Sequence, residues 1–323
     1  LVRHAGDLAE RLISARQLGS SSLIVEIASN DGYLLQHYKK RGIPVFGIEP
    51  ARNIARVAEQ RGIRTVCKFF EEGLARRLAG EGTRADVIHA NNVFAHVPDV
   101  NDFARACVLL MKSSGVATIE VPHLVRLVEG RQFDTIYHEH FSYFSLTAAI
   151  RVLRESGLEV FDVAEVETHG GSLRIYAQLA GSGSRVLSAR LSQVLERERN
   201  LGVSTQAFYE TFQAEIDEVK RGLLDFLLKA RSEGKVVGAY GAAAKGNTLL
   251  NFAGVRRDLL NYVVDMNPAK QGKYLPGSRI PIVSPTILDT DPPDYLLVLP
   301  WNIKNEIRDY LAGLPNWGGR AFV

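Results

Sequence analysis

Leu23-Ile24-Val25-Glu26-Ile27-Ala28-Ser29-Asn30-Asp31-Gly32 is the stretch on which the fold of this chain turns. A short apolar, β-branched run is the mark of a buried parallel strand. Here a turn follows it, and the pattern predicts a helix to about residue 41. Strand, tight turn and helix in that order make a nucleoside-binding arrangement, with backbone amides at the helix start facing a ligand. A second apolar run, 45–48, closes on Glu49, 23 residues after Glu26. A carboxylate there can accept both hydroxyls of a ribose, whether in a dinucleotide or in S-adenosylmethionine. The turn chooses between them. A dinucleotide needs Gly-x-Gly-x-x-Gly so that its pyrophosphate can approach the backbone. This turn has one glycine, Gly32, and three polar side chains, Ser29, Asn30 and Asp31, in the space a pyrophosphate would need. Those groups suit a methionine amino group. Alone, the turn is equally an ordinary strand-to-helix connection capped by Asp31. Glu49 and Asn91-Asn92, at the end of a later strand, weigh against that. The S-adenosylmethionine pocket is therefore assigned to Glu26, Ala28, Ser29, Asn30, Asp31, Gly32, Glu49, Asn91 and Asn92.

Outward from this segment the same rhythm continues. Before it, Leu8, Leu12 and Ile13 recur at helical spacing and predict a helix over 6–18. After it come a helix over 51–61, a strand over 64–66, a helix over 72–78, a strand over 87–90, a helix over 102–111 and a strand over 115–121. Such alternation means a parallel, doubly wound sheet. Runs 158–166 and 173–179 read as strands that extend its edge. Gly and Ser at 181–183 mark a boundary, followed by helices over 186–196 and 208–228. Phe208, Phe212, Ile216, Val219, Leu223 and Phe226 share one face of the second helix, which must pack against something. The rhythm then restarts with a strand over 236–240, a Gly/Ala turn, a helix over 245–252 and strands over 262–265 and 295–299. The expected fold is α/β: a class I methyltransferase (Rossmann-like) domain over 1–180, a helical connector over 181–232 and a second Rossmann-like domain over 233–323.

Two domains suit a length of 323 residues. Apolar content of 46% and charged content of 23% are ordinary for a globular protein. A net charge of +3 without a dense basic stripe points away from nucleic acid. The basic cluster at 185–199 alternates with Glu and apolar residues, as on a solvated helix face. Cys67 and Cys107 are the only cysteines, which excludes a disulfide framework or a Cys-rich zinc site within this segment and fits a reducing cytoplasm. No apolar run nears the ~18 residues of a membrane helix, and no signal peptide is visible.

Three further motifs carry chemistry: Tyr137-His138-Glu139-His140-Phe141-Ser142-Tyr143-Phe144, His169-Gly170-Gly171-Ser172 and Gly241-Ala242-Ala243-Ala244-Lys245-Gly246-Asn247. The last follows a strand and opens a helix. Its glycine spacing is wrong for a P-loop, and its Lys precedes the Gly. A positive helix end beside Lys245 still suits a diphosphate. Asn247 projects from the first helical turn, Asn267 follows the next strand where a nucleoside could sit, and Trp301 could border a base or diphosphate. A purely structural second lobe is the alternative. The glycines after His169 let backbone approach a substrate, and a simple hairpin turn explains them nearly as well.

With the turn at 26–32, these motifs resemble, in order and over nearly the whole 323 residues, the nucleotide-sugar C-methyltransferases. Members of that family methylate a carbon of a dTDP-linked 4-keto-6-deoxyhexose. The resemblance implies S-adenosylmethionine as cofactor and a C-terminal lobe that binds the nucleotide diphosphate. His169, Gly170, Ser172, Gly241, Lys245, Asn247, Asn267 and Trp301 would contact the substrate. It also implies an N-terminal zinc-binding lobe with four cysteines, which either precedes Leu1 or is lacking from this member. Ala28 stands where methyltransferases commonly have glycine, and Ala is still small.

Carbon methylation beside a ketone requires removal of the α proton. Neutral His is matched to that step, and a Tyr hydroxyl or protonated His can donate to the developing oxyanion. By similarity, His140 is the general base, Glu139 orients or polarises it, Tyr137 binds the ketone oxygen, and His138 is structural. In an extended segment 137 and 139 would face away from 138 and 140; a tight turn would let Tyr137, Glu139 and His140 converge. His96, after the fourth strand, either packs or approaches the sugar. No His/Asp/Glu set has metal-ligand spacing, and this chemistry needs no metal. O- or N-methylation of a nucleotide-linked sugar, and a non-catalytic nucleotide-binding protein, are the competing readings.

Overall fold

The computed structural model describes residues 2–182, 185–314 and 317; Gly183, at the expected boundary, lies outside them. Its first sheet is built from β1 (Ile24–Ile27), β2 (Val45–Ile48), β3 (Thr65–Val66), β4 (Ala85–Asn91), β5 (Met111–Pro122), β6 (Leu158–Val166) and β7 (Ser172–Leu179). They lie in the order β3-β2-β1-β4-β5-β7-β6. The pairs from β3 through β5 are parallel, as the strand–helix alternation requires. β7 is antiparallel to both β5 and β6. Only five residues, 167–171, join β6 to β7, too few for the crossover that parallel pairing needs.

Every residue of β1 is buried, Glu26 included. In register, Glu26 sits between Gly47 of β2 and His89 of β4. The chain reverses its direction of strand addition between β1 and β4, so the carboxyl ends of these two strands form a topological switch point, the usual place for a ligand in an open α/β sheet. His89 itself is core: Tyr38 Oη lies 2.8 Å from its Nε2 and Thr118 Oγ1 2.6 Å from its Nδ1. Burial drives its pKa down to about 3, so the ring is neutral.

The first helix, Val2–Arg16, begins before the expected 6–18 and buries Ala5, Leu8, Ala9 and Leu12. The helix after the β1 turn is only Leu35–Lys40. Leu146–Glu155, capped by Ser145 accepting from the Ala148 amide, is a helix the sequence pattern did not reveal. Farther on, the two expected helices are Ala189–Leu201 and Phe212–Ser232. Ile216, Leu227 and Ala230 are the buried residues of the second, while Leu223 and Phe226 are half-buried, so its inner face is rotated toward Leu227.

A second sheet comprises β8 (Val237–Tyr240), β9 (Val263–Val264), β10 (Ile282–Val283) and β11 (Tyr295–Val298), all parallel, in the order β10-β9-β8-β11. Helix Ala244–Ala253 follows β8. The chain forms two compact units. One takes in residues up to Val125, His140–Glu167 and Gly171–Ser204; the other takes in Arg126–Glu139, Thr168–Gly170 and the chain from Thr205. Among the described residues no helix is long and apolar enough to cross a membrane.

Candidate functional site

In the N-terminal unit the turn after β1 is strained. Ala28, Asn30 and Gly32 have φ of 55°, 50° and 80°, and Asn92, beyond β4, has 53°. Left-handed backbone costs a non-glycine residue about 1–2 kcal/mol, which gives a physical reason for glycine to be common at the position of Ala28. The three polar side chains of the turn go different ways, so they do not fill it together. Ser29 points inward and is fully buried; a Cβ on Gly47 would come within 2.5 Å of its Oγ. Asn30 is exposed and donates to the Ala28 carbonyl at 2.9 Å. Asp31 pairs with Arg61 at 2.6 Å. The helix starts beyond Gly32 with no side-chain cap, so Asp31 is not its cap.

Some amides of the turn are already engaged. The Asn30 amide donates to Glu49 Oε2 at 3.0 Å, Ala51 donates to Glu49 Oε1 at 2.8 Å, and Gly32 donates to the Ser29 carbonyl. The site also presents acceptors. Glu26 Oε2, Ser29 Oγ, Asn91 Oδ1 and Asn92 Oδ1 are buried with no hydrogen-bond partner. Burial pushes the Glu26 carboxyl well above the usual range, and the charges of Asp31 and Glu49 push the same way. Buried acceptors without donors are costly. A ligand bringing an ammonium and hydroxyls satisfies them, and S-adenosylmethionine carries both.

His96 ends a short 3-10 turn, Phe94–His96, whose Phe94 is buried and stacks on Phe144 at 4.8 Å. The amide of Phe141 donates to the Ala95 carbonyl at 2.8 Å, laying the segment after His140 along that turn. The rings of His96 and His140 consequently meet edge-on, with centroids 4.7 Å apart, and Tyr143 lies 5.9 Å from His140. Both histidines are half-buried. The chain turns at His138-Glu139, which are exposed, while Tyr137 is half-buried, so strict extended alternation does not hold. Tyr137 and Glu139 are grouped with the C-terminal unit and His140 with the N-terminal one.

The segment after His140 has a support that sequence reasoning missed. His123, at the end of β5, is buried with its Nε2 3.2 Å from Glu198 Oε1. Glu198 accepts from the Leu146 and Thr147 amides at 2.6 and 2.8 Å and from the Thr147 hydroxyl. Burial alone would raise the Glu198 pKa, but the bonds from His123, Thr147 and Leu146 outweigh it and hold the carboxylate below its usual range.

In the C-terminal unit, Gly170, Lys245 and Trp301 come together. Trp301 Nε1 donates to Asp134 Oδ2 at 2.7 Å, and Lys245 Nζ donates to Asn302 Oδ1 at 2.7 Å while lying 4.5 Å from the Trp301 ring centre. Gln132 donates to the Gly170 carbonyl at 2.8 Å. Gly170 has φ +91°, and a Cβ there would overlap the Trp301 ring and approach Gln132 Oε1 to 2.9 Å. Burial raises the Asp134 pKa, opposed by the Trp301 bond and Lys245; burial lowers that of Lys245, opposed by Asp134. The lysine thus lies over an indole beside an acid, not at the open end of its helix. Gln132 and Asp134 had no sequence signal.

The other expected substrate residues are spread out. Gly241, φ +91°, admits Pro300, to which a Cβ would come within 2.6 Å. Asn247 Oδ1 is buried without a partner. Asn267 is exposed, and its Oδ1 accepts from the Ala269 amide at 3.0 Å, closing a turn. His169 is exposed with φ 58°, and Ser172 is buried at the start of β7, in the N-terminal unit rather than with Gly170.

Residues 3–163 match the family model described as a methyltransferase domain, and 167–323 match the C-methyltransferase C-terminal domain. C-methyltransferase NovU of Streptomyces niveus is 35% identical over 323 residues, spanning 100% of this chain and 77% of that protein. A ubiquinone biosynthesis O-methyltransferase of Azorhizobium caulinodans is 30% identical over 123 residues, 37% of this chain and 46% of that one. Among solved structures, magnesium protoporphyrin IX methyltransferase of Synechocystis with bound SAH superposes loosely, at a TM-score of 0.45 and 12% identity over 56% of this chain and 83% of that one.

Proposed function

The chain belongs to the C-methyltransferase family and is an S-adenosylmethionine-dependent methyltransferase, and on that premise we propose that it methylates a carbon of a nucleotide-linked keto-deoxysugar, a dTDP-4-keto-6-deoxyhexose by resemblance. The observation that carries the proposal is the edge-on pairing of His96 and His140 within the unit that also holds the buried acceptors.

S-adenosylmethionine, when bound, supplies an electrophilic methyl group. Glu26 Oε2, Ser29, Asn91 and Asn92 would hold its ammonium and hydroxyls, and Glu49, already fixed by two backbone amides, would keep its remaining lone pairs for the ribose. His140 takes the proton from the carbon beside the substrate ketone onto a ring nitrogen, leaving that carbon as an enolate nucleophile. His96, in ring contact, fixes the orientation of His140. The resemblance gives Tyr137 the role of donor to the ketone oxygen, where negative charge would develop, and Glu139 that of polarising the base. In the C-terminal unit, Lys245 beside Trp301 suits the diphosphate and base of the nucleotide, with Asn247 as a further polar contact.

The test is solvent exchange. With S-adenosylhomocysteine bound, deuterium should enter the carbon beside the ketone of a dTDP-4-keto-6-deoxyhexose, and His140→Gln should abolish that exchange while keeping S-adenosylhomocysteine affinity. An O- or N-methylated product, with no exchange and no C–CH₃ bond, would overturn the proposal.

A further inference from the structure

At the opposite end of the first sheet from the β1 turn, where Ser22 leads into β1 and Asp86 lies near the start of β4, the N-terminal unit contains a cavity of about 750 Å³. Arg11, Arg16, Arg185 and Arg190 line it, against two carboxylates, Asp86 and Asp162. Both acids already have cations of their own: Lys112 lies 2.6 Å from Asp86, and Arg190 pairs with Asp162.

Arg16 and Arg185 are in no ion pair among the described residues. Both donate to one backbone oxygen, the Ser114 carbonyl, at 2.7 and 3.0 Å, which sets two guanidiniums side by side. Arg16 Nε is buried with no partner. Burial and then the charge of Arg185 lower the Arg16 pKa, with Asp86 opposing. Holding two like charges together is unfavourable unless an anion joins them, and guanidiniums in pairs suit phosphate oxygens. The Arg185 guanidinium also lies 5.4 Å from the centre of the Phe161 ring, giving the cavity an aromatic wall. Its volume exceeds what a bare phosphate would fill.

We infer that this cavity binds a phosphate-bearing small molecule, whose oxygens bridge Arg16 and Arg185. Its place at the amino ends of the strands separates it from Glu26 and Asn91, so its ligand is not the group being methylated.

Pyrophosphate is the probe. The full chain is titrated calorimetrically at constant ionic strength as wild type, Arg16→Gln, Arg185→Gln and Lys245→Gln. The expected result is a saturable site at least tenfold weaker in each arginine variant and retained in Lys245→Gln. Absence of saturable binding in the wild type, unchanged affinity in the arginine variants, or loss confined to Lys245→Gln would overturn the inference. S-adenosylhomocysteine binding reports whether each variant is folded. Arg185 follows the last strand of its sheet and, among the described residues, bonds Gln178 and the Ser114 carbonyl, so Arg185→Gln decides the matter if Arg16→Gln does not fold.

Discussion

Replacing Glu26 by Gln separates what the buried carboxyl does for the fold from what it does for the cofactor. Glu26 is 1% exposed, and one of its oxygens has no partner. Its pKa is raised in the folded chain, first by burial and then by Asp31 and Glu49. The sign follows from linkage. Between the unfolded pKa and the raised folded one, the native chain holds a proton that the unfolded chain has lost. Its contribution to stability is complete below the unfolded value and declines by about 1.4 kcal/mol per pH unit as pH rises toward the folded one. The carboxamide of Glu26→Gln mimics the protonated acid and has no such slope. Urea unfolding followed by circular dichroism at a series of pH values from about 5 to 8 should therefore show Glu26→Gln gaining on the wild type as pH rises. The cofactor should reverse the order. An ammonium against Glu26 favours the carboxylate, so S-adenosylhomocysteine binding near neutral pH should release a proton from the wild type, seen by calorimetry in buffers of different ionisation enthalpy. Glu26→Gln should release none and bind roughly ten- to a hundredfold more weakly, from a charge-assisted bond of about 1.5–3 kcal/mol. A stability difference that stays flat with pH would show that Glu26 is not a buried acid with a raised pKa in the free protein.

Three other substitutions probe the remaining geometry. Ala28→Gly removes a left-handed alanine with φ 55° and should raise stability by about 1 kcal/mol in urea unfolding, with S-adenosylhomocysteine affinity unchanged. Gly170→Ala adds a Cβ into the Trp301 ring at φ +91°; overpacking should cost about 1–3 kcal/mol and shift the tryptophan fluorescence without affecting cofactor binding. Trp301→Phe leaves Asp134 buried without the indole donor now at 2.7 Å. The loss should be about 1–3 kcal/mol by urea unfolding, and larger above the Asp134 pKa than below it.

The parts of this molecule legible in its sequence are those whose reasons are local. β1, β2, β8 and β11 are short apolar runs flanked by turn residues, and burial on both faces follows from such runs without knowing their neighbours. Leu146–Glu155 shows the limit. Its cap, Ser145, and its support, Glu198, are separated by more than fifty residues, and Glu198 meets the helix through the fold. The site divides the same way. Glu26 and Glu49 stand out because a strand end followed by a turn is one contiguous pattern, yet the fate of each polar group in the turn depends on what lies across it. Asp31 goes to Arg61, Asn30 to its own backbone, and Ser29 inward because Gly47 on the neighbouring strand leaves it room. Lys245 shows the same effect with a chemical consequence. Beside a helix start it reads as a phosphate ligand, but Trp301 and Asn302, more than fifty residues away, and Asp134, more than a hundred away, place its ammonium over an indole and next to an acid. Such a lysine is held as part of a preformed polar and aromatic surface, which suits recognition of a base and diphosphate together better than a flexible charge reaching from solvent. Residue type and spacing indicate which chemistry is present; which atoms remain without partners, and are therefore open to a ligand, depends on long-range packing.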